Sequence, residues 1–222
     1  MNSYDESAVN QGLLLDLQFR EGTGTVTQDW AKPRHPITMI DDPVWTSISG
    51  LQVLDFIAPS DYLSCAGASC ADLNFTSGAF TLAVWMYPDT GTRMVFCRGL
   101  FGADGWYSQT SGTRWTITTI QPPAAYQYSE SAEVFVTSYW HFGAITRSGT
   151  SARIYHNGID KTTTVGTHVN PLTSARNLYI GQYDDNTMRW DGLMYRPRIW
   201  NRALAPEEIF YIWQSERRLF NV

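Results

Sequence analysis

An all-β, antiparallel sandwich closed by a short C-terminal helix is the fold class that this 222-residue sequence predicts, on three observations. The run Phe80 to Tyr87 is apolar on both parities, Phe80, Leu82, Val84 and Met86 on one side and Trp85 and Tyr87 on the other, which suits a strand covered on both faces at the centre of a sandwich. Trp140 to Arg147 and Ser151 to His156 read as a hairpin with a Ser-Gly turn, followed by Asn157-Gly158, a dipeptide that accepts the positive φ angles of a type I′ turn. Asn177 to Glu208 combines a short strand, a polar loop, a long aromatic strand and a helix start in one run.

In chain order, Gly12 to Phe19 alternates as a first strand and Glu21 to Thr25 supplies turn glycines. Leu51 to Phe56 is the next strand, then Phe80 to Tyr87, stopped by Pro88. Arg93 to Cys97, Trp106 to Gln109 and Arg114 to Ile120 continue as a meander, with turns expected at Gly99 to Gly105 and at Ser111-Gly112. Leu178 to Ile180 and Met188 to Trp200 are the last two strands, flanking the polar loop Asp184-Asp185-Asn186. The helix starts at Pro206, a residue suited to a first helical position, and Glu207 and Glu208 lie where the positive end of the helix dipole favours carboxylates.

Composition limits the function classes. With 43% apolar and 14% aromatic residues the chain can bury the core of one large domain, taken as residues 12–216 between a polar arm, 1–11, and a tail, 217–222. A net charge of −5 offers no basic excess for phosphates, so no nucleic-acid partner is expected. No apolar run reaches membrane-spanning length, so no membrane insertion is expected. Met1 to Gln11 lacks the basic n-region of a secretory signal. Cys65 and Cys70 bracket a loop of small residues and are close enough in sequence to pair, but three cysteines make no disulfide framework and free thiols are the expectation. Their spacing, without companion histidines, argues against zinc.

Taken together, three separated segments resemble the laminin-G-like, or concanavalin A-like, lectin/glucanase superfamily. Its closing motif is matched at Ile180, Gly181, Trp190, Gly192, Met194, Arg198 to Leu204 and Glu207 to Ile209. The central hairpins are matched at Trp140, His141, Thr146, Gly149, Tyr155, Asn157 and Gly158, and Phe80 to Pro88 and the opening strand fit as well. The resemblance implies a two-sheet jelly roll with one concave sheet. Two departures stand out. Tyr195-Arg196 replaces the family's Asp-Glu, which argues against a family-type calcium site, and Ala205 replaces a serine that could cap the helix. Asp29 occupies a place where relatives carry an aspartate that helps hold calcium, but Lys32, Arg34 and His35 follow it, so a turn role is expected and structural calcium is not.

Fold does not give function. Glucanases of this superfamily carry Glu-x-Asp-x-x-Glu on a strand, and no glutamate here has an aspartate two residues later. The four histidines, His35, His141, His156 and His168, accompany no recognised nucleophile motif. A non-catalytic module is therefore expected. Aromatic rings that stack on pyranoses, flanked by groups that bind hydroxyls, are the candidates for a ligand site: Trp106, Tyr107, Tyr126, Tyr128, Asp184, Asp185, Asn186 and Trp190. Core packing competes for Trp106 and Trp190, a solvated turn competes for Asp184 to Asn186, and a protein partner competes with sugar at Tyr126 and Tyr128. A polar arm and an apolar tail, Leu219 to Val222, are features with which subunits dock. Together with the missing export signal they make a decoration protein on the surface of a virus or phage particle the expected role, its partners being other subunits or cell-surface glycans. The alternatives are a free-standing lectin-like domain, extracellular or cytoplasmic, and, third, a glycoside hydrolase.

Overall fold

The structure is a computed structural model that describes residues 7–57, 60–122 and 126–222. In chain order the strands are β1 (Leu13–Asp16), β2 (Val26–Gln28), β3 (Pro36–Ile40), β4 (Val44–Ile48), β5 (Leu51–Phe56), β6 (Tyr62–Cys65), β7 (Phe80–Pro88), β8 (Met94–Leu100) and β9 (Asp104–Ser111). They continue as β10 (Arg114–Thr119), β11 (Gln127–Ser131), β12 (His141–Ser148), β13 (Ser151–His156), β14 (Ile159–Asp160), β15 (Thr162–Thr164), β16 (Leu178–Ile180) and β17 (Gly192–Trp200), and helix α1 spans Pro206–Glu216. The first sheet runs β14-β13-β12-β7-β17-β5-β4, with β1 sharing the edge of β17 beyond β5; the second runs β15-β11-β10-β9-β8-β16-β6-β3-β2. The pairings are antiparallel, giving the expected two-sheet jelly roll.

β7 lies at the centre of the first sheet, between β12 and β17, and both its faces are buried. Phe80 points between the sheets and meets Trp106 of the second at 5.5 Å, while Trp85 points the other way, beneath the C-terminal segment. The first sheet is thus covered on its outer side as well, which is why β7 lacks the polar alternation of a half-solvated strand. The sandwich core contains Trp106, Trp115, Trp190, Phe56, Phe80 and Phe96.

Helix α1 begins at Pro206 as expected. Ala205 supplies no capping side chain; instead Glu208 reaches back to accept the Ala205 N–H at 2.8 Å and is itself gripped by Arg202 at 2.7 and 2.8 Å. Half of a capping box therefore survives without its serine. The helix's last residue, Glu216, is buried, accepting from Arg196, Arg198 and the Trp85 indole.

Several strand boundaries differ from the sequence reading. The first strand ends at Asp16 rather than Phe19: Leu17 forms only an isolated bridge to Asp29, and Phe19 has a φ of 51°. The last strand starts at Gly192, not Met188, because Met188 has a φ of 50° and leads a bend. Gly99 and Gly105 are register partners inside β8 and β9 rather than turn residues; a Cβ on Gly105 would lie 2.0 Å from the Arg98 carbonyl. The stretch around Tyr126 and Tyr128, for which the sequence reading gave no strand, is mostly strand β11.

The described end of the arm, residues 7–11, and the tail pack on the chain's own sandwich, while the rest of the arm lies outside the described residues. Trp200 Nε1 donates to Val9 O at 2.8 Å and Arg202 Nε to Gln11 O at 2.6 Å; Phe220 stacks on Trp85 at 4.2 Å and contacts Trp140 and Tyr195. The described end of the arm and Phe220 of the tail are thus held by the chain itself, without a neighbouring subunit. Among the described residues no helix is long and apolar enough to cross a membrane.

Candidate functional site

The site is built on three adjacent strands of the second sheet. Register places Tyr107 opposite Thr118 and Thr118 opposite Tyr128, and likewise Gln109 opposite Thr116 and Thr116 opposite Glu130. Side chains alternate along a strand, so these six share the outer face, while Trp106, Ser108, Trp115, Ile117, Ser129 and Ser131 point inward and are buried. With Phe101, Ser111 and Tyr126 the outer six line a cleft of about 280 Å³.

Aromatic rings form one wall. Tyr126 and Tyr128 are 44% and 42% exposed, their rings 6.3 Å apart and within 25° of parallel, and Phe101 meets Tyr126 edge-on at 4.7 Å. Tyr107 is buried deeper, edge-on to Tyr183 at 5.2 Å. Burial raises the Tyr107 pKa against the pull of a hydrogen bond with Thr118, so its hydroxyl keeps its proton at neutral pH. The Tyr183 hydroxyl accepts the Phe101 N–H at 2.6 Å and steadies the loop that carries Phe101. The polar wall holds Gln109, Thr116, Thr118 and Glu130. Arg114 donates to Glu130 at 2.9 Å and to Glu133 at 2.8 Å, fixing the Glu130 carboxylate beside the tyrosines. Exposed ring faces next to amide and hydroxyl groups and a fixed carboxylate can stack on an apolar ligand face and bind hydroxyls at its rim.

Of the sequence candidates, the structure brings together Tyr107, Tyr126 and Tyr128 and separates the others. Trp106 is a core residue whose indole donates to Leu73 O at 3.0 Å between Phe75 and Phe80. Trp190 is fully buried and packs beside Gly181. Neither tryptophan reaches a surface. Asp184 is ion-paired with Arg176, Asp185 accepts from Thr187, and Asn186 turns the chain with a φ of 66°, so the three serve their own loop. Sequence reading missed Phe101, Gln109, Thr116, Thr118 and Glu130. The alternation of β9 and β10 was a usable signal once their register was known.

At the place of a family calcium aspartate, the buried Asp29 carboxylate accepts the backbone N–H groups of Asp16, Ala31 and His35 at 2.9 to 3.0 Å and the His35 ring at 2.7 Å. It is a turn anchor. His35 also reaches Asp72 at 3.0 Å; burial opposes its charging, yet the two carboxylates raise its pKa to about 9. Arg196, where the family has an acid, bonds Asp16 at 3.0 and 3.1 Å and Glu216 at 2.7 Å. Cations thus occupy both places. The described residues contain no cluster of three or more His, Cys, Asp or Glu side chains arranged for a metal.

A hydrogen-bonded Ser-His pair is present, Ser129 Oγ lying 2.8 Å from His168 Nε2 with Thr119 Oγ1 at 2.9 Å from the other ring nitrogen. All three residues are buried on the core side of the sheet, and burial, with Arg147 nearby, lowers the His168 pKa to about 4. The pair is a packing contact closed to substrate.

Comparison with known proteins agrees with this architecture. The laminin G profile of the concanavalin A-like lectin/glucanases superfamily matches residues 63–210, and the chain belongs to that family. No curated protein sequence matches it. Among solved structures it is similar to the binding domain of botulinum neurotoxin DC in complex with rat synaptotagmin II, with a TM-score of 0.72 and 13% identity over 94% of this chain and 52% of that one. The botulinum neurotoxin serotype C1 binding domain gives 0.72 and 13% over 93% and 53%. A structure of botulinum neurotoxin type C, whose cell entry is described as dependent upon interaction with two ganglioside molecules, gives 0.70 and 14% over 94% and 52%. The chain spans about half the length of these structures, and at such identities the likeness is one of fold.

Proposed function

We propose that this protein is a non-catalytic, lectin-like binding module that takes glycans in the tyrosine-lined cleft of its second sheet, without calcium. The observation that carries this reading is the exposed, near-parallel pair Tyr126 and Tyr128 beside the fixed Glu130 carboxylate. Absence of catalysis is supported by the cleft's chemistry. Glu130 is the one carboxylate among the described residues that line it, whereas glycoside hydrolysis uses two, roughly 5 to 9 Å apart. The similar structures include a binding domain in complex with a protein, synaptotagmin II, and a toxin whose cell entry is described as dependent upon two ganglioside molecules, which supports a binding role on this fold.

A glycan array, run with calcium and with chelator, tests the proposal. Binding in both conditions that disappears in the Tyr126→Ala/Tyr128→Ala double variant is the expected result; an array blank for the folded protein removes the reading.

Decoration of a virus or phage particle is the second reading. It is favoured by Phe210 and Tyr211, apolar side chains 41% and 61% exposed on the outer side of α1, which a neighbouring subunit could bury. Native mass spectrometry separates the two readings: a monomer at high concentration leaves the free-standing lectin.

A further inference from the structure

Away from the cleft, Cys65 ends β6 and Cys70 follows one 3-10 turn later. Both are free, and they lie beneath a thin turn whose Ala66, Ala68, Ser69, Ala71 and Asp72 are exposed. Arg98 projects from β8 under the same turn, 1% exposed. Its guanidinium bonds the carbonyls of Arg176, Ser174 and Gly67, all neutral, and Cys70 Sγ at 2.7 Å. Among the described residues the Cys70 sulfur is thus the one bonded partner of this buried cation that can carry negative charge, and a buried cation favours an anionic partner.

We propose that Arg98 holds Cys70 as a thiolate and that Cys70 and Cys65 form a peroxide-reactive dithiol, Cys70 the attacking sulfur and Cys65 the resolving one. The Cys70 sulfur attacks one oxygen of hydrogen peroxide; the O–O bond breaks, a sulfenic acid forms, and hydroxide leaves to be protonated by solvent. The Cys65 thiol then gives up its proton and its sulfur attacks Cys70, breaking the S–O bond and releasing water. Two thiols are oxidised to a disulfide and one peroxide is reduced to two waters.

Two further features fit. A cavity of about 420 Å³, lined by Gly67, Ala68, Ala71, Arg98 and Ser174 among others, has room for an oxidant as small as peroxide against the turn that covers the two sulfurs, although neither sulfur lines it. The pair is also electrostatically uneven. The Cys65–Cys70 hydrogen bond, opposed by burial and aided by Arg98, the Leu178 N–H and His35, lowers the Cys70 pKa to about 7; the same hydrogen bond, with burial and Asp72, pushes the Cys65 thiol well above the ordinary range. Three carbonyls compete for the proton of a neutral thiol, those of Ala66, Cys65 and Gly67 at 3.3, 3.7 and 3.8 Å from Cys70 Sγ. The shorter contact with the charged guanidinium favours the thiolate.

The test treats the folded protein with hydrogen peroxide near neutral pH, unfolds it, alkylates the remaining thiols and maps peptides by mass. A Cys65–Cys70 link with Cys97 still alkylated is expected, since burial pushes the Cys97 pKa up to about 12 and makes it an internal control. Three alkylated cysteines, or prior oxidation of Cys97, overturns the proposal. In Cys65→Ser the sulfenic acid on Cys70 should accumulate and be trapped by dimedone; its absence overturns the attacking role. Arg98→Lys should slow trapping roughly tenfold through the lost thiolate fraction. Should that variant not fold, the pH profile of trapping in Cys65→Ser decides: half-maximal rate near pH 7 supports the thiolate, and a midpoint at or above about 8.5, the ordinary thiol value, overturns it.

Discussion

The indole of Trp85 donates to the Glu216 carboxylate at 2.8 Å, linking the centre of the first sheet to the last residue of the only α-helix among the described residues. Arg198 adds two bonds to the same carboxylate, at 2.9 and 2.8 Å, and Arg196 a third at 2.7 Å. Removing the acid leaves these cations and a buried indole N–H without their common acceptor. Glu216→Ala should cost about 3 to 5 kcal/mol in urea unfolding. A loss near zero would mean that water takes the carboxylate's place.

Tyr126 and Trp106 were both sequence candidates, core packing competing only for Trp106, and should behave oppositely. Tyr126→Ala with Tyr128→Ala removes exposed rings and should change stability by less than about 1 kcal/mol while abolishing glycan capture. Trp106→Ala opens the core and should cost about 3 to 5 kcal/mol. Thermal melts alongside the array measure both.

His35 gives the fold a dependence on alkaline pH. Its folded pKa of about 9 lies above the ordinary 6.5, so its pairing with Asp29 and Asp72 contributes fully below about pH 6.5 and is lost as pH rises through 9. Between those limits the wild type should lose on the order of 2 kcal/mol that a His35→Gln variant does not lose, read from urea midpoints across the range.

Gly67 sits where two backbones nearly touch: a Cβ there would lie 2.1 Å from Ala175 O and 2.8 Å from Arg176 O. Those atoms belong to a main chain that also accepts from Arg98, so Gly67→Ala should cost about 1 to 3 kcal/mol. An unchanged melting temperature would show that the 174–176 segment moves freely.

Calcium removal should leave the melting temperature unchanged, because Asp29 spends its acceptors on four protein donors and Arg196 brings a cation where relatives have an acid. A downward shift on adding chelator would reveal a site formed elsewhere.

What was legible in the sequence was whatever local pattern determines. β7 could be read because burial on both faces leaves an unbroken apolar run, and the Asn157-Gly158 turn because both residues need positive φ, 49° and 78°. The cleft was only half legible. Trp106 and Tyr107 are neighbours of similar character, and which one faces ligand depends on the phase of β9 relative to a core assembled from distant strands. Thr116, Thr118 and Gln109 carry no chemical mark until register sets them beside the tyrosines. Arg98 and Arg147 were illegible for another reason: each is a charge held inside the fold by backbone carbonyls, which no residue type announces.

The pairing of β1 with β17 also decides how the domain would respond to tension. Leu13 lies opposite Trp200, so the chain enters β1 and leaves β17 at the same end of an antiparallel pair. Force applied through the two ends would first strip Phe220 from Trp85 and pull Glu216 from Trp85, Arg196 and Arg198, and only then load the Leu13–Trp200 end of the ladder and open its bonds one after another, like a zipper, rather than shearing them together. Past the Glu216 cluster, the β1–β17 pair is therefore the compliant step along the chain. An attachment that must bear load would be better anchored through the face of the sheet that carries the cleft.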